Sequence, residues 1–172
     1  MTGGVRSGKS THAERLLSSE DVVTYVAPGQ VPDPQVDPDW AARVAAHRAR
    51  RPAGWLTRET SDLATVLAEA SGAVLLDCLG TWLTAQVDAA GMWEAPSDDV
   101  HDHVLAALEP ALAALKAAPG PVVVVTNEVG LGVVPAHRSG RVFRDLLGTV
   151  NQRVAAVCDE VHLVVAGRVL VL

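Results

Sequence analysis

Eight residues near the start of the chain have the types and spacing of a phosphate-binding loop. They match the pattern G-x-x-x-x-G-K-S/T and run, in order, Gly3, Gly4, Val5, Arg6, Ser7, Gly8, Lys9 and Ser10. Glycines let successive backbone N–H groups turn inward onto phosphate oxygens. Lys9 would place a positive charge near the β- and γ-phosphates, and the Ser10 hydroxyl would reach Mg²⁺. The run that starts at Lys9 predicts a helix whose N-terminus favours the same anion.

A carboxylate follows the second apolar run of the chain. Asp77 ends the segment Ala73–Asp77, and an acid at the end of a buried strand can hold Mg²⁺ directly or through water. Strands also end in aspartate because it favours turns. The phosphate-binding loop favours the first interpretation, so we expect Asp77 to complete a phosphoryl-transfer site with Lys9, Ser10 and the metal.

A cluster of arginines surrounds one histidine. No acidic residue interrupts the segment 40–58, which contains Arg43, Arg48, Arg50, Arg51 and Arg58. On a helix, Arg43, His47 and Arg50 or Arg51 share a face. Such a face suits a polyanion such as a nucleoside triphosphate, although a plain basic surface stays open as an alternative. Neighbouring cations should lower the pKa of His47 and keep its imidazole neutral and nucleophilic, unless it is an inert surface histidine.

Alternating apolar runs and helix-like stretches must position these residues. Continuous apolar runs predict strands buried on both faces of a parallel sheet, at 22–27, 73–77, 122–126 and 161–165. Helical stretches are predicted at 40–51, 61–70, 99–117 and 140–157. This alternation indicates a doubly wound α/β fold. The tail 168–172 could add an edge strand, and the proline-rich segment 28–39 is predicted as a loop.

The support for the phosphate-binding loop looks incomplete in the sequence. Such a loop normally follows a buried strand, yet only Met1 and Thr2 precede Gly3. We therefore expect the first strand to be truncated, and the native protein to begin a few residues earlier. Asn127 and Glu128 follow the run at 122–126, on the side where open α/β sheets bind ligands. Glu128 would position metal or substrate there, or would shape the turn.

Composition sets limits on the class of protein. A chain of 172 residues suits one catalytic domain over 1–172, and 49% apolar residues argue against disorder. A net charge of −6 argues against general nucleic-acid binding. No apolar stretch approaches the ~20 residues of a membrane span. Cys78 and Cys158 lie in apolar runs without C-x-x-C spacing, which predicts two buried thiols in a reducing cytoplasm.

Further segments occur in an order that is far more specific than the loop alone. They are 2–10 with 12–14, 25–27, 41–43, 47–48, 51–52, Trp55, Thr57, Glu59, 125–135 (Val-Thr-Asn-Glu-Val-Gly-Leu-Gly-Val-Val-Pro), 143–145, 150–153 and 160–167. With them, nearly the whole chain resembles the bifunctional adenosylcobinamide kinase / adenosylcobinamide-phosphate guanylyltransferase family of cobalamin biosynthesis. The resemblance implies a RecA-type P-loop fold, a mostly parallel sheet flanked by helices, and assembly as a homotrimer.

The resemblance also implies two reactions. ATP or GTP would phosphorylate the aminopropanol hydroxyl of adenosylcobinamide, and GMP from GTP would then pass to that phosphate, giving adenosylcobinamide-GDP and pyrophosphate. By position, His47 would carry GMP covalently, and Lys9 would serve the kinase step. Nucleotide contacts would come from the loop together with Pro28, Gly29, Gln30, Arg48, Ala49, Arg50, Arg51, Glu59 and Asp77. Mg²⁺ would be bound by Ser10 and Asp77.

Two other functions fit part of the sequence. A P-loop small-molecule kinase without guanylyltransferase activity would use the loop and Asp77 but would leave His47 idle. A nucleotide-dependent regulatory switch would hydrolyse nucleotide without a small-molecule acceptor. Neither would form a covalent adduct with GMP, so uptake of label from α-labelled GTP separates them from the bifunctional enzyme.

Overall fold

The computed structural model describes residues 1–172 and contains thirteen elements. The strands are β1 (Thr2–Gly3), β2 (Val23–Ala27), β3 (Leu56–Glu59), β4 (Ala73–Asp77), β5 (Val122–Val125), β6 (His162–Val165) and β7 (Arg168–Val171). The helices are α1 (Lys9–Leu16), α2 (Pro38–Arg50), α3 (Leu63–Glu69), α4 (Leu79–Ala90), α5 (Ser97–Ala117) and α6 (Arg138–Ala155). None of these helices combines the length and apolarity that crossing a membrane requires.

The strands form one mostly parallel sheet. One parallel ladder has the order β3-β2-β4-β5, and a second has the order β1-β6-β7 with only β7 antiparallel. Backbone hydrogen bonds join the two, from Thr126 N to Met1 O (2.9 Å) and from Glu128 N to Gly3 O (3.1 Å). Strand β5 thus lies between β1, which leads into the phosphate-binding loop, and β4, which ends in Asp77. The predicted α/β P-loop fold is confirmed.

The strand that supports the phosphate-binding loop is short, as the sequence predicted, but it is present. Thr2 and Gly3 pair in parallel with Leu163 and Val164 of β6. On the other side, the amino group of Met1 donates to Val124 O at 2.9 Å. The strand is only two residues long, but hydrogen bonds from both neighbouring strands hold it. Local apolar pattern could not reveal it, because its stability comes from partners more than 120 residues away in sequence.

Successive side chains of the central strands point to opposite faces of the sheet, so the hydrophobic core consists of two clusters, one on each face. Ala73 and Leu75 of β4 pack with Ala13 and Leu17 around helix α1, in a cluster of 7 buried residues. Val74 and Leu76, which point to the opposite face of the sheet, belong to a cluster of 21 residues built with helices α3 to α6. Both faces of the sheet are therefore covered, as the continuous apolar runs predicted.

Helix α2 begins earlier than the sequence suggested. The loop predicted to reach residue 39 ends at Asp37, whose carboxylate accepts a hydrogen bond from Trp40 N at 2.8 Å and caps the helix. Pro38 occupies the first turn, where proline is tolerated because the N–H of that position has no helical partner. The cap fixes the start of the helix that carries His47.

We expect Gly3→Ala to destabilise the protein because β1 and β6 approach too closely for a methyl group. A Cβ on Gly3 would lie 2.4 Å from the carbonyl oxygen of Val164, which is backbone and has little room to move. Overpacking of this kind costs about 1–3 kcal/mol, and each kcal/mol lowers the melting temperature by about 2–4 °C at this chain length.

The matched control is Gly4→Ala, because a Cβ on Gly4 meets no atom within 4 Å. Thermal unfolding without nucleotide should show a clear loss for Gly3→Ala and a shift of less than about 0.5 kcal/mol for Gly4→Ala. Equal melting temperatures for the two variants would contradict the tight packing of β1 on β6.

Candidate functional site

The phosphate-binding loop joins β1 to α1 at the carboxyl edge of the sheet. Gly8 has φ 96°, a left-handed conformation that disfavours other residues. The ammonium of Lys9 donates to Gly4 O at 3.1 Å and lies buried inside the loop. Burial lowers the pKa of Lys9, and Arg43 lowers it further, while Cys78 and Asp77 oppose the shift. A bound polyphosphate would favour the charged ammonium and offset this desolvation.

Two connected cavities adjoin the loop. The larger, of about 1070 Å³, is a polar cleft between the loop and helix α2. The smaller, which we call the inner cavity, has a volume of about 220 Å³ and lies over the ends of strands β2 and β4. Five residues line both: Lys9, Ser10, Trp40, Arg43 and His47. The loop and the histidine of α2 therefore face a common space, although 38 positions separate Lys9 from His47.

His47 is half-buried and faces Asp77. Its Nδ1 lies 3.9 Å from Asp77 Oδ2. Burial lowers the pKa of His47, Arg50 and Arg43 lower it further, and Asp77 and Glu14 oppose the shift. The direction agrees with the prediction from the sequence, but burial is the largest cause, and the opposing effect of the Asp77 charge is larger than the effect of either arginine. A lowered pKa leaves the imidazole neutral at pH 7, with its ring nitrogens able to act as a nucleophile.

Tyr25 holds the carboxylate that His47 faces. The hydroxyl of this buried tyrosine donates to Asp77 Oδ2 at 3.1 Å. Burial, with the Asp77 charge adding to it, raises the pKa of Tyr25, so the hydroxyl stays protonated and remains a donor. The guanidinium of Arg51 lies over the Tyr25 ring, 3.3 Å from its centroid. Tyr25 thus links an arginine of the cluster to the carboxylate at the end of β4.

Three arginines of the cluster form ion pairs with glutamates from other elements, which the acid-free segment 40–58 did not reveal. Arg48 pairs with Glu59 of β3, and Arg50 pairs with Glu14 of α1 at 3.2 Å. Arg58 pairs with Glu69 of α3, outside both cavities. Exposed pairs of this kind contribute about 0–1 kcal/mol each. Arg43 takes part in no ion pair and lines both cavities.

Most residues that the sequence singled out come together at the two cavities. The residues that line them are Val5, Arg6, Ser7, Gly8, Lys9, Ser10, Gly29, Gln30, His47, Arg50, Arg51, Glu59 and Asp77. Five others line neither: Gly3 and Gly4 at the start of the loop, the buried Pro28, and Arg48 and Ala49, which are exposed near the end of α2, where Arg48 pairs with the cavity-lining Glu59. Of the two predicted buried thiols, Cys78 is half-buried and Cys158 is exposed, so the prediction for Cys158 is wrong.

The structure adds residues that the sequence analysis did not select for the site. They include Tyr25, Val31, Pro32, Trp40, Val44, Cys78 and Thr81, whereas Asn127 lines the cavity as its position after the 122–126 run predicted. Helical spacing could have found two of them, because Trp40 and Val44 share a face with His47 and Arg51 at intervals of three or four residues.

Glu128 shapes the turn after β5, which is one of the two roles that the sequence left open. Its carboxylate accepts a hydrogen bond from Gly130 N at 2.8 Å.

The cavities contain side chains that could donate hydrogen bonds to phosphate and oxygen ligands that could bind a hard cation. The buried Ser7 Oγ and Arg51 Nε have no hydrogen-bond partner in the protein, which is rare for buried polar atoms. The Ser10 hydroxyl and the Asp77 carboxylate line the same cavity. No group of three or more His, Cys, Asp or Glu residues could hold a metal alone. Mg²⁺ needs only one or two protein oxygens when substrate phosphates complete its shell, so these residues fit it.

Known proteins similar to this chain give the family. The model of the family described as "Cobinamide kinase / cobinamide phosphate guanyltransferase" matches residues 1–172. The bifunctional adenosylcobalamin biosynthesis protein CobU of Salmonella typhimurium is 42% identical, over 97% of this chain and 94% of the relative. CobU of Escherichia coli is 39% identical over 97% and 94%, and CobP of Pseudomonas aeruginosa is 39% identical over 97% and 92%. The chain therefore belongs to the cobinamide kinase / cobinamide phosphate guanyltransferase family.

Proposed function

We propose that this chain phosphorylates adenosylcobinamide with ATP or GTP and then transfers GMP from GTP to the product through a guanylylated His47. One observation supports this most strongly: Lys9 of the phosphate-binding loop and His47 of α2 line the same two cavities. A triphosphate cradled by the loop would thus present its phosphorus atoms to a nucleophile on the facing helix. The bifunctional names of the relatives agree with such a site.

In the kinase step, the residues of the loop position and neutralise the triphosphate. Inward N–H groups bind its oxygens, and the Lys9 ammonium faces the transferred phosphoryl group, where negative charge develops. Ser10 and Asp77 are the residues that would hold Mg²⁺, which would screen charge between the β- and γ-phosphates when bound. The hydroxyl oxygen of the acceptor attacks the γ-phosphorus and releases its proton to solvent, the bond from that phosphorus to the β–γ bridging oxygen breaks, and the nucleoside diphosphate leaves.

In the guanylyl-transfer step, His47 divides one difficult displacement into two. Its ring nitrogen attacks the α-phosphorus of GTP, the bond between that phosphorus and the bridging oxygen breaks, and pyrophosphate leaves. A phosphate oxygen of the acceptor then attacks the same phosphorus, and the phosphorus–nitrogen bond breaks. Because Nδ1 faces Asp77 at 3.9 Å, the nitrogen that attacks is Nε2. Arg43 and Arg50 offset the charge that develops.

Labelled GTP tests the proposal against a kinase without the second activity and against a regulatory switch. Protein incubated with α-labelled GTP and Mg²⁺ should retain label after denaturation, and γ-labelled GTP should leave none by this route. Adding adenosylcobinamide phosphate should discharge the label into adenosylcobinamide-GDP. Phosphorylation of adenosylcobinamide without any retained α-label would favour the simple kinase, and nucleotide hydrolysis with no modified corrinoid would favour the switch.

We further propose that the enzyme is a cytoplasmic homotrimer, as the family resemblance implies. The edge strand β7 supports association, because Leu170, Val171 and the following Leu172 are exposed apolar residues on an unpaired sheet edge. The two unpaired thiols, Cys78 and Cys158, and the use of nucleoside triphosphates agree with a reducing compartment. Sedimentation equilibrium should give three times the chain mass of 18.0 kDa.

A further inference from the structure

The loop between β5 and α6 exposes an unusual set of aliphatic side chains beside the nucleotide site. Leu131 is 87% exposed, Val133 is 94% exposed and Val134 is 57% exposed. They follow Asn127, which lines the inner cavity together with Lys9. Three large aliphatic residues within four positions are an exposed patch, and such patches mark binding surfaces more often than chance.

The backbone of this loop is braced, so the exposure is a property of a defined surface. Glu128 N donates to Gly3 O at 3.1 Å, which fixes one end of the loop to β1. The amide of Asn151 donates to Asn127 O at 3.0 Å. At the other end, Arg141 donates to the carbonyl oxygens of Pro135 and Ala136 at 3.2 and 2.6 Å. Both ends of the loop are therefore anchored, which lowers the cost of ordering it when a ligand binds.

Two further exposed aliphatic residues, on other loops, line the inner cavity itself. Val5 of the phosphate-binding loop and Val31 of the loop after β2 line that cavity and are themselves largely exposed. The polar cleft between the phosphate-binding loop and α2 contains no residue of the β5–α6 loop. The polar cleft thus offers charged groups for a triphosphate, whereas exposed aliphatic groups lie at the inner cavity and on the loop that continues from its lining residue Asn127.

Resting on the proposed function, we infer that the corrin ring of the acceptor docks on Leu131, Val133 and Val134, with Val5 and Val31 at its inner rim. A corrin is a broad macrocycle with apolar faces and methyl groups, so exposed aliphatic side chains are its natural partners. Its reactive hydroxyl sits at the end of a flexible side arm. The ring can therefore stay at the mouth while the arm enters the cavity.

The reach of the chain agrees with this arrangement. Leu131 lies four residues after Asn127, so its Cα is at most about 14 Å from that of the cavity-lining residue. The acceptor must present its hydroxyl in the kinase step and its new phosphate in the guanylyl-transfer step. Both reactions use the space shared by Lys9 and His47, so one docking surface at its mouth would serve both steps without release of the ring.

The test compares Val133→Ser and Leu131→Ser with Val22→Ser. Val22 is a matched control because it is 53% exposed and directly precedes β2, at the amino ends of the strands, whereas the site lies at their carboxyl ends. Each loop variant should raise the KM for adenosylcobinamide about tenfold, as expected for the loss of one apolar contact. Equilibrium dialysis of adenosylcobinamide, followed by its absorbance, should show the same loss of affinity. Uptake of α-label from GTP without acceptor should stay at the wild-type level in all three.

Each other outcome would overturn the docking surface. Unchanged KM and affinity in the loop variants would place the ring elsewhere. Loss of the oligomer in sedimentation, seen in Val133→Ser or Leu131→Ser alone, would show that the patch joins copies of the chain. Loss of α-label uptake in the loop variants would assign the loop to the nucleotide site. Failure of the wild-type protein to take up label or to phosphorylate adenosylcobinamide is a different result, and it would reject the proposed function itself.

Discussion

Replacing Lys9 by alanine should lower the rate of adenosylcobinamide phosphorylation about 10²–10³-fold, the usual loss when a preorganised group that stabilises transition-state charge is removed. The ammonium of Lys9 is buried inside the phosphate-binding loop and donates only to Gly4 O, so it is free to turn toward a phosphate. No other lysine can replace it, because Lys116 is the only other one and lies at the end of α5.

Release of ADP in the presence of adenosylcobinamide, with the phosphorylated corrinoid quantified, measures this effect. Lys116→Ala is the control, since it removes the same group from an exposed position far from the cavities. Thermal unfolding should confirm that the Lys9 variant is folded, and burial of an unpaired ammonium gives no reason to expect a large loss of stability. Near wild-type turnover by Lys9→Ala would reject the kinase assignment.

The buried strands were predictable because each is a local apolar run. The bounds of β4 match the prediction, and those of β2, β5 and β6 differ by one residue. Strand β3 was missed because Leu56, Thr57, Arg58 and Glu59 are all exposed on an edge and show no apolar run. Helix α4 was missed because it starts directly after the β4 strand, and Gly80 and Thr81 near its start are poor helix formers.

In the candidate site, too, local sequence motifs were predictable, whereas contacts between distant segments were not. The phosphate-binding loop and the helical face with Arg43 and His47 are local patterns, so the sequence revealed them. The contact of Tyr25 with Asp77 joins two strands 52 positions apart. The acids that pair with Arg48 and Arg50 come from β3 and α1. Such partners depend on the order of strands in the sheet, which local spacing does not encode.

Replacing His47 by alanine should abolish guanylyl transfer and leave the kinase step in place. The imidazole is the nucleophile in the proposed mechanism, and no other histidine lines either cavity. Alanine at this position offers no atom to form the covalent intermediate, so the loss should reach the background of the assay. Phosphorylation of adenosylcobinamide should survive, weakened at most by the change to the cavity wall, because it depends on Lys9 and not on a histidine.

Retention of label from α-labelled GTP after denaturation is the measurement, with His103→Ala as the control because that histidine is exposed on α5. The wild-type adduct should be a phosphoramidate, labile to acid and stable to base, and digestion should recover it in the peptide that contains His47. Because Nδ1 faces Asp77, NMR of that peptide should place the phosphorus on Nε2. Normal label uptake by His47→Ala would show that the nucleophile lies elsewhere, and the two-step mechanism would then be wrong even if both products still formed.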